Sequence, residues 1–169
     1  MEVRIKKLHK NATIPFYSKK GDAGMDLTAV ERYFDSYGNV VYRTGIALEI
    51  PEGYVGLLFP RSSVSKMDIS LCNCVGVIDS SYRGEIIVKF KPTLSYSTAG
   101  LQYEDCKFNY WGGIIIPAGE QDLRVHKNYE VGERVAQLII MPYPYIEFKE
   151  VNELTQTERG NGGFGSSGK

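Results

Sequence analysis

GIALEIPEGYVGLLFP, residues 45–60, carries the reading that decides the fold class. Its first half alternates, with Ile46, Leu48 and Ile50 at every second position, which is the period of a strand with one buried face. Pro51-Glu52-Gly53 then breaks the chain, and 54–59 follow as a nearly continuous apolar run, as in a strand covered on both faces. Both patterns recur outward along the sequence. Val3 and Ile5 alternate, as do Ile86, Val88 and Phe90, while 114–116 and 135–141 are continuous runs. Pro117-Ala118-Gly119 and Glu130-Val131-Gly132-Glu133 are further breakers, and twelve Tyr with seven Phe suit the same architecture. No window of a dozen residues carries a clean 3.6-residue apolar stripe, and 62–67 is the one helical candidate. The expected class is all-β, with many short strands closing into a barrel or sandwich.

A chain of 169 residues that is 43% hydrophobic is sized for one domain with one core. Twenty Lys plus Arg balance twenty Asp plus Glu, so no overall positive field draws the chain onto nucleic acid or an anionic membrane, and neither is expected as a partner. MEVRIKKLHK at the start lacks the apolar stretch of a signal peptide, and nowhere do eighteen apolar residues run together. Three cysteines, Cys72, Cys74 and Cys106, read as reduced thiols. The expected compartment is the cytoplasm. A structural zinc needs about four ligands, and His9 and His126 are the only other soft candidates. The plainer reading puts Cys72 and Cys74 on one face of a strand, packed as small apolar groups.

The last eleven residues, RGNGGFGSSGK, contain five glycines and one aromatic, a composition that cannot bury enough surface to fold alone. Glycine amides and the Arg159 guanidinium suit an anion, yet a Walker loop also needs a following Ser or Thr and a helix, which the sequence given does not supply after Lys169. Four other segments are individually weak. PRSSVSK (60–66) sets Arg61 beside two hydroxyls after a buried strand, an ordinary capping segment by itself. GVIDSSYRGE (76–85) places Asp79 and Tyr82 in a hairpin-like turn, where an aspartate is usually a turn former. AGMDLTA (23–29) sets Asp26 on an early strand, and GERVAQLII (132–140) sets Gln137 inside an apolar one, where a polar group needs a partner.

Together and in this order, the five segments resemble the five motifs of the trimeric dUTPase family. The resemblance runs from near the N-terminus to the final residues. It implies a distorted jelly-roll-like β-barrel of the β-clip type, forming a homotrimer whose sites lie at subunit junctions. The first, second and fourth motifs would come from one subunit, the third from a second and the tail from the third. The implied activity is hydrolysis of dUTP to dUMP and pyrophosphate, which limits uracil incorporation into DNA and supplies dUMP for thymidylate synthesis. Asp79 matches the aspartate that activates the attacking water. Asn73, Gly76 and the main chain of Val77, Ile78 and Ile87 match the hairpin that reads uracil, and Tyr82 matches the aromatic that packs on deoxyribose. Arg61, Ser62, Ser63 and Gln137 match groups that hold the triphosphate. Arg159, Phe164, Gly165, Ser166 and Ser167 match the closing tail, so the domain is expected over 1–158 and a flexible lid over 159–169. Mg2+ is implied as a companion of the nucleotide, with Asp26 reaching the hydrated ion through water and no direct protein ligand.

Met25, Ser81 and Ser63 depart from the commonest family pattern without removing a catalytic group. Between the third and fourth motifs, Val88 to Gly132 is about two dozen residues longer than a strand connection requires. This inserted segment, about 91–128, holds Trp111 and several tyrosines and reads as an ordered addition, with a protein partner as one use for it. Two alternatives stand beside the main reading. One is a dCTP deaminase of the same fold, with Glu85 as its proton shuttle. The other is a non-catalytic β-barrel that binds protein through the insertion.

Overall fold

The computed structural model describes residues 1–92, 107–108, 114–115 and 128–163. Its strands are β1 (Arg4–Lys7), β2 (Met25–Thr28), β3 (Glu31–Phe34), β4 (Val40–Glu49), β5 (Tyr54–Pro60), β6 (Ile69–Leu71), β7 (Gly76–Ile78), β8 (Glu85–Pro92), β9 (Lys107–Phe108), β10 (Ile114–Ile115) and β11 (Arg134–Pro142). One antiparallel sheet runs β1-β4-β8-β6, with β3 also on β4, and a second runs β2-β11-β5-β7. β9 pairs antiparallel with β10. The two large sheets enclose one core to which Val40, Tyr42, Ile46, Val88 and Phe90 come from the first, and Leu27, Leu58, Val135 and Leu138 from the second. This is the all-β class that the strand periodicity implied, in the barrel form that the family resemblance implied.

The period-two residues of β8 behave as the pattern requires, Ile86, Val88 and Phe90 facing the core while Ile87, Lys89 and Lys91 face outward. β4 is buried on both faces, beyond the single face its alternation implied, whereas the continuous apolar run of β5 fully buries only Gly56 and Leu58. The register of β4 against β8 shifts between Arg43 and Ala47, where Gly45 takes a φ of 68°. A Cβ at Gly45 would lie 2.7 Å from the His9 Cβ, and the Gly45 N–H donates to Glu85 Oε1 at 2.8 Å. The bulge therefore needs glycine for both conformation and space. Beside it, Tyr42, Phe90 and Tyr129 form an aromatic cluster with ring centroids 5.9–6.1 Å apart. Burial pushes the Tyr42 phenol up to about 12, so its hydroxyl stays neutral and donates to the Tyr129 carbonyl at 3.0 Å.

Three local expectations are corrected. The helical candidate is a 3-10 turn, Ser62–Lys66, with no side-chain cap at Arg61. Cys72 and Cys74 do not pack on a strand face; β6 stops at Leu71 and both thiols are exposed in the turn beyond it, Cys74 with a φ of 56°. Asp79 and Tyr82 do not sit in a hairpin, because β7 pairs with β5 while β8 pairs with β4 and β6. Residues 79–84 instead cross from one sheet to the other. Cys106, Trp111 and 116–119 lie outside the described residues. No described helix is long and apolar enough to cross a membrane. Beyond β11, the Tyr143 N–H donates to the Gly53 carbonyl, and the chain then leaves the barrel as an arm on which Tyr145, Phe148 and Leu154 are 84%, 97% and 86% exposed.

Gly45→Ala places a methyl against His9 at a left-handed position and should destabilise the fold by at least about 2 kcal/mol. Urea denaturation at fixed protein concentration checks this, and a loss below about 0.5 kcal/mol would show that the bulge tolerates a side chain.

Candidate active site

Pairing of the second sheet brings one polar group together. In the β11–β2 ladder Gln137 stands opposite Asp26, and in the β11–β5 ladder it stands opposite Phe59, two residues before Arg61. Opposed positions share a face, so Asp26, Gln137 and Arg61 converge although they lie far apart in sequence. The Asp26 side chain is 2% exposed and fully engaged: Arg61 Nε donates to Oδ1 at 3.0 Å and Arg134 Nη1 to Oδ2 at 2.9 Å. Arg61 Nη1 also donates to the Arg134 carbonyl at 3.3 Å. The buried carboxylate thus holds two guanidinium groups, each with donors to spare. Gln137 packs on Gly24, where a Cβ would come within 3.2 Å of the Gln137 Cβ. Ser62 opens the 3-10 turn, exposed, and Ser63 beside it shares a 2.9 Å hydrogen bond with the Tyr129 hydroxyl. Arg134, not singled out from the sequence, belongs to this group; an arginine opening an apolar strand in the fourth motif was its signal.

The other sequence-predicted residues line a separate open cleft of about 190 Å³ that includes Asn73, Gly76, Val77, Ile78, Asp79, Tyr82 and Ile87. The Asp79 side chain is exposed, and its carbonyl accepts from the Tyr82 N–H at 3.0 Å to close the crossing turn. Tyr82 folds back so that its hydroxyl donates to the Glu85 carbonyl at 3.0 Å, a path that a Cβ at Gly84 would block. Gly76 is equally constrained, since a Cβ there would lie 3.0 Å from Asn73 Nδ2 and from the Leu58 Cβ. β7 ends its sheet, so among the described residues one backbone edge of Gly76–Ile78 has no strand partner.

Glu85 also lines the cleft, but its carboxylate is committed elsewhere. Arg43 reaches Oε2 with Nε at 2.8 Å and Nη2 at 2.7 Å, and the Gly45 N–H occupies Oε1. A proton shuttle needs a carboxylate free to exchange protons with the base, so this one is a structural anchor. Arg61, Ser63 and Gln137 do not line the Asp79 cleft, and Arg159 turns back on its own loop, Nε donating to the Gly162 carbonyl at 3.0 Å. Phe164, Gly165, Ser166 and Ser167 lie outside the described residues.

An acid-bearing cleft and a cluster of guanidinium and hydroxyl groups thus stand on one all-β barrel, each assembled by strand pairing from distant parts of the chain. Sequence comparison makes the assignment. The dUTPase family model matches residues 10–94 and 114–168, and the chain belongs to that family. It is 34% identical over 171 residues to the deoxyuridine 5'-triphosphate nucleotidohydrolase of Hydrogenobaculum sp., covering 99% of each chain. A mutant dUTPase of Staphylococcus bacteriophage 80alpha, solved with dUpNHpp, superposes with a TM-score of 0.70 at 33% identity, covering 99% of each chain. A mutant dUTPase of S. aureus phage phi11, described as revealing the coordination of a structural Mg(II) ion, matches at a TM-score of 0.64 and 29% identity over 90% of this chain and 98% of that one. The family match passes over residues 95–113, a span narrower than the insertion expected at about 91–128.

Asp26→Ala would leave Arg61 and Arg134 facing each other without their shared counter-charge. Breaking a fully buried pair costs roughly 3–5 kcal/mol, and the partial exposure of both arginines reduces this to about 1–3 kcal/mol. Thermal unfolding of the variant checks the figure; unchanged stability would mean that the arginines find equal solvation without Asp26.

Proposed function

We propose that the chain hydrolyses dUTP to dUMP and pyrophosphate by attack of water on the α-phosphorus. One observation supports this above the others: the exposed Asp79 carboxylate and the unpaired edge of β7 line the same cleft. A free backbone edge offers alternating donors and acceptors to uracil, with Asn73 beside it and Gly76 allowing close approach. Tyr82 packs on deoxyribose where a 2′-hydroxyl would need room. Asp79 then orients a water and accepts its proton as the oxygen–phosphorus bond forms and pyrophosphate leaves. Arg61, Ser62, Ser63 and Gln137 hold the triphosphate, with Asp26 aiming Arg61.

Mg2+ would come with the nucleotide and would supply neutralisation of the phosphate charge. Among the described residues no three His, Cys, Asp or Glu converge on a metal position, and both Asp26 oxygens already accept from arginines. Such a donor set suits an ion carried by phosphates, with Asp26 reaching it at most through water.

A homotrimer with shared sites explains why one copy separates the base cleft from the phosphate group. A cleft of about 190 Å³ is below the usual ligand-site range of about 300–1,000 Å³. In the trimer the phosphate group of one copy faces the Asp79 cleft of a second, and a third contributes its tail. The exposed apolar side chains of the arm then find cover on a neighbouring copy. Residues 1–158 form the barrel subunit with its arm, and 159–169 act as a lid in which Phe164 stacks on the base while Arg159, Gly165, Ser166 and Ser167 surround the γ-phosphate. Its place of action is the cytoplasm, or the host-cell interior for a viral chain.

Turnover of each deoxynucleoside triphosphate with Mg2+, read as pyrophosphate release, tests the reading; ammonia released from dCTP would support the deaminase instead. Asp79→Asn keeps the shape of the site but loses the base, so turnover should fall about 10²- to 10⁴-fold with nucleotide binding retained. Parent-like turnover by this variant would remove Asp79 from the mechanism. Ending the chain after Glu158 should leave thermal stability nearly unchanged while lowering turnover at least about 100-fold, because the lid positions the triphosphate and excludes water. Full activity of that truncation would reduce 159–169 to an ordinary terminus.

A further inference from the structure

We propose that Tyr129, which lies outside the five motifs, is a positioning residue of the triphosphate-binding turn: its buried hydroxyl fixes the direction in which Ser63 donates its single proton. The inference rests on the reading of Ser63 as a phosphate ligand. Tyr129 is 2% exposed, with its ring packed against Tyr42 and Phe90. Its carbonyl accepts from the Tyr42 hydroxyl at 3.0 Å and from Arg32 Nη1 at 2.9 Å, and the same Nη1 also donates to Glu130 Oε1 at 2.9 Å. Ring and backbone are therefore held by three separate elements. The only freedom left to the side chain is the rotation of its hydroxyl, which stands 2.9 Å from Ser63 Oγ.

Either hydroxyl of this pair can be the donor. A phosphate oxygen on Ser63 removes that choice, because it accepts and cannot donate. Both contacts are satisfied in only one arrangement, with Tyr129 O–H donating to Ser63 Oγ and Ser63 O–H donating to phosphate. A hydroxyl that already accepts is a better donor, so the chain of two bonds strengthens the contact with the ligand. The pair also ties the strand return after the inserted segment to the phosphate-binding turn, since Tyr129 follows that segment directly.

A double-mutant cycle tests the assignment. Tyr129→Phe, Ser63→Ala and the double variant are measured for Kd of a non-hydrolysable dUTP analogue with Mg2+, for kcat and KM, and for Tm. Tyr129→Phe keeps the ring and should weaken analogue binding and raise KM about three- to tenfold, the size of one hydrogen bond, with kcat within about twofold. In the Ser63→Ala background it should have no further effect on affinity. It should also raise the Tm of that background, because Ser63→Ala leaves the Tyr129 hydroxyl buried and unpaired. A merely structural tyrosine would lower Tm in the parent background and leave Kd and KM unchanged. Parent-like affinity of Tyr129→Phe in an active parent, or an equal loss with and without Ser63, overturns the role of Tyr129 alone. A parent that neither binds the analogue nor turns over dUTP overturns the functional reading, and this inference with it.

Discussion

A carboxylate that is almost wholly buried must have its charge met inside the fold, and Asp26 meets it with two arginines from separate parts of the chain. Arg61 follows β5 and Arg134 opens β11, so this one charge ties β2, β5 and β11 together at the end of the sheet where the phosphate candidates gather. The cost of burying Asp26 is offset only while both guanidinium groups stay in place. That requirement holds Arg61 in a fixed pose before any ligand arrives. A preformed donor is worth more to a polyanion than a mobile one, because its side-chain entropy has already been lost on folding.

The other half of the site depends on a change of sheet. Residues 79–84 carry the chain from β7 to β8, and the two strands pair with different neighbours. A hairpin would have given β7 a partner on both edges and closed the surface that the base is proposed to use. Crossing leaves that edge open and turns Asp79 and Tyr82 outward over it. The crossing is anchored from behind by Glu85, whose two oxygens accept from Arg43 and from the Gly45 amide. An acid beside the cleft is thereby removed from chemistry and used to hold the bulge in β4.

One copy therefore holds the cleft and the guanidinium cluster apart, and carries an arm with uncovered apolar side chains. These features share an explanation if both are completed between copies: the cleft gains its phosphate ligands, and the arm gains a surface. Exposed side chains such as Phe148 and Leu154 would be costly on an isolated subunit and are ordinary at an interface.

The strands were legible in the sequence wherever a residue's fate depends on its immediate neighbours. Period-two alternation marks β4 and β8 as strands and continuous apolar runs mark β5 and β11, but which faces of β4 and β5 are buried was decided by sheet packing. Asp26, Gln137, Asp79 and Tyr82 were named from the order of the motifs, a pattern that also lies along the chain. Partnership was not legible. That Arg134 shares Asp26 with Arg61, that Glu85 is bound to Arg43, and that the Tyr129 hydroxyl meets Ser63 all follow from strand register between segments 40 to more than 100 residues apart. Nor did spacing separate a hairpin from a crossing at 79–84, or a strand from an exposed turn at Cys72 and Cys74, since both outcomes satisfy the same local pattern. Local periodicity determined which residues form strands; only the pairing of those strands decided which charges neutralise one another, and so which polar groups remain free to act.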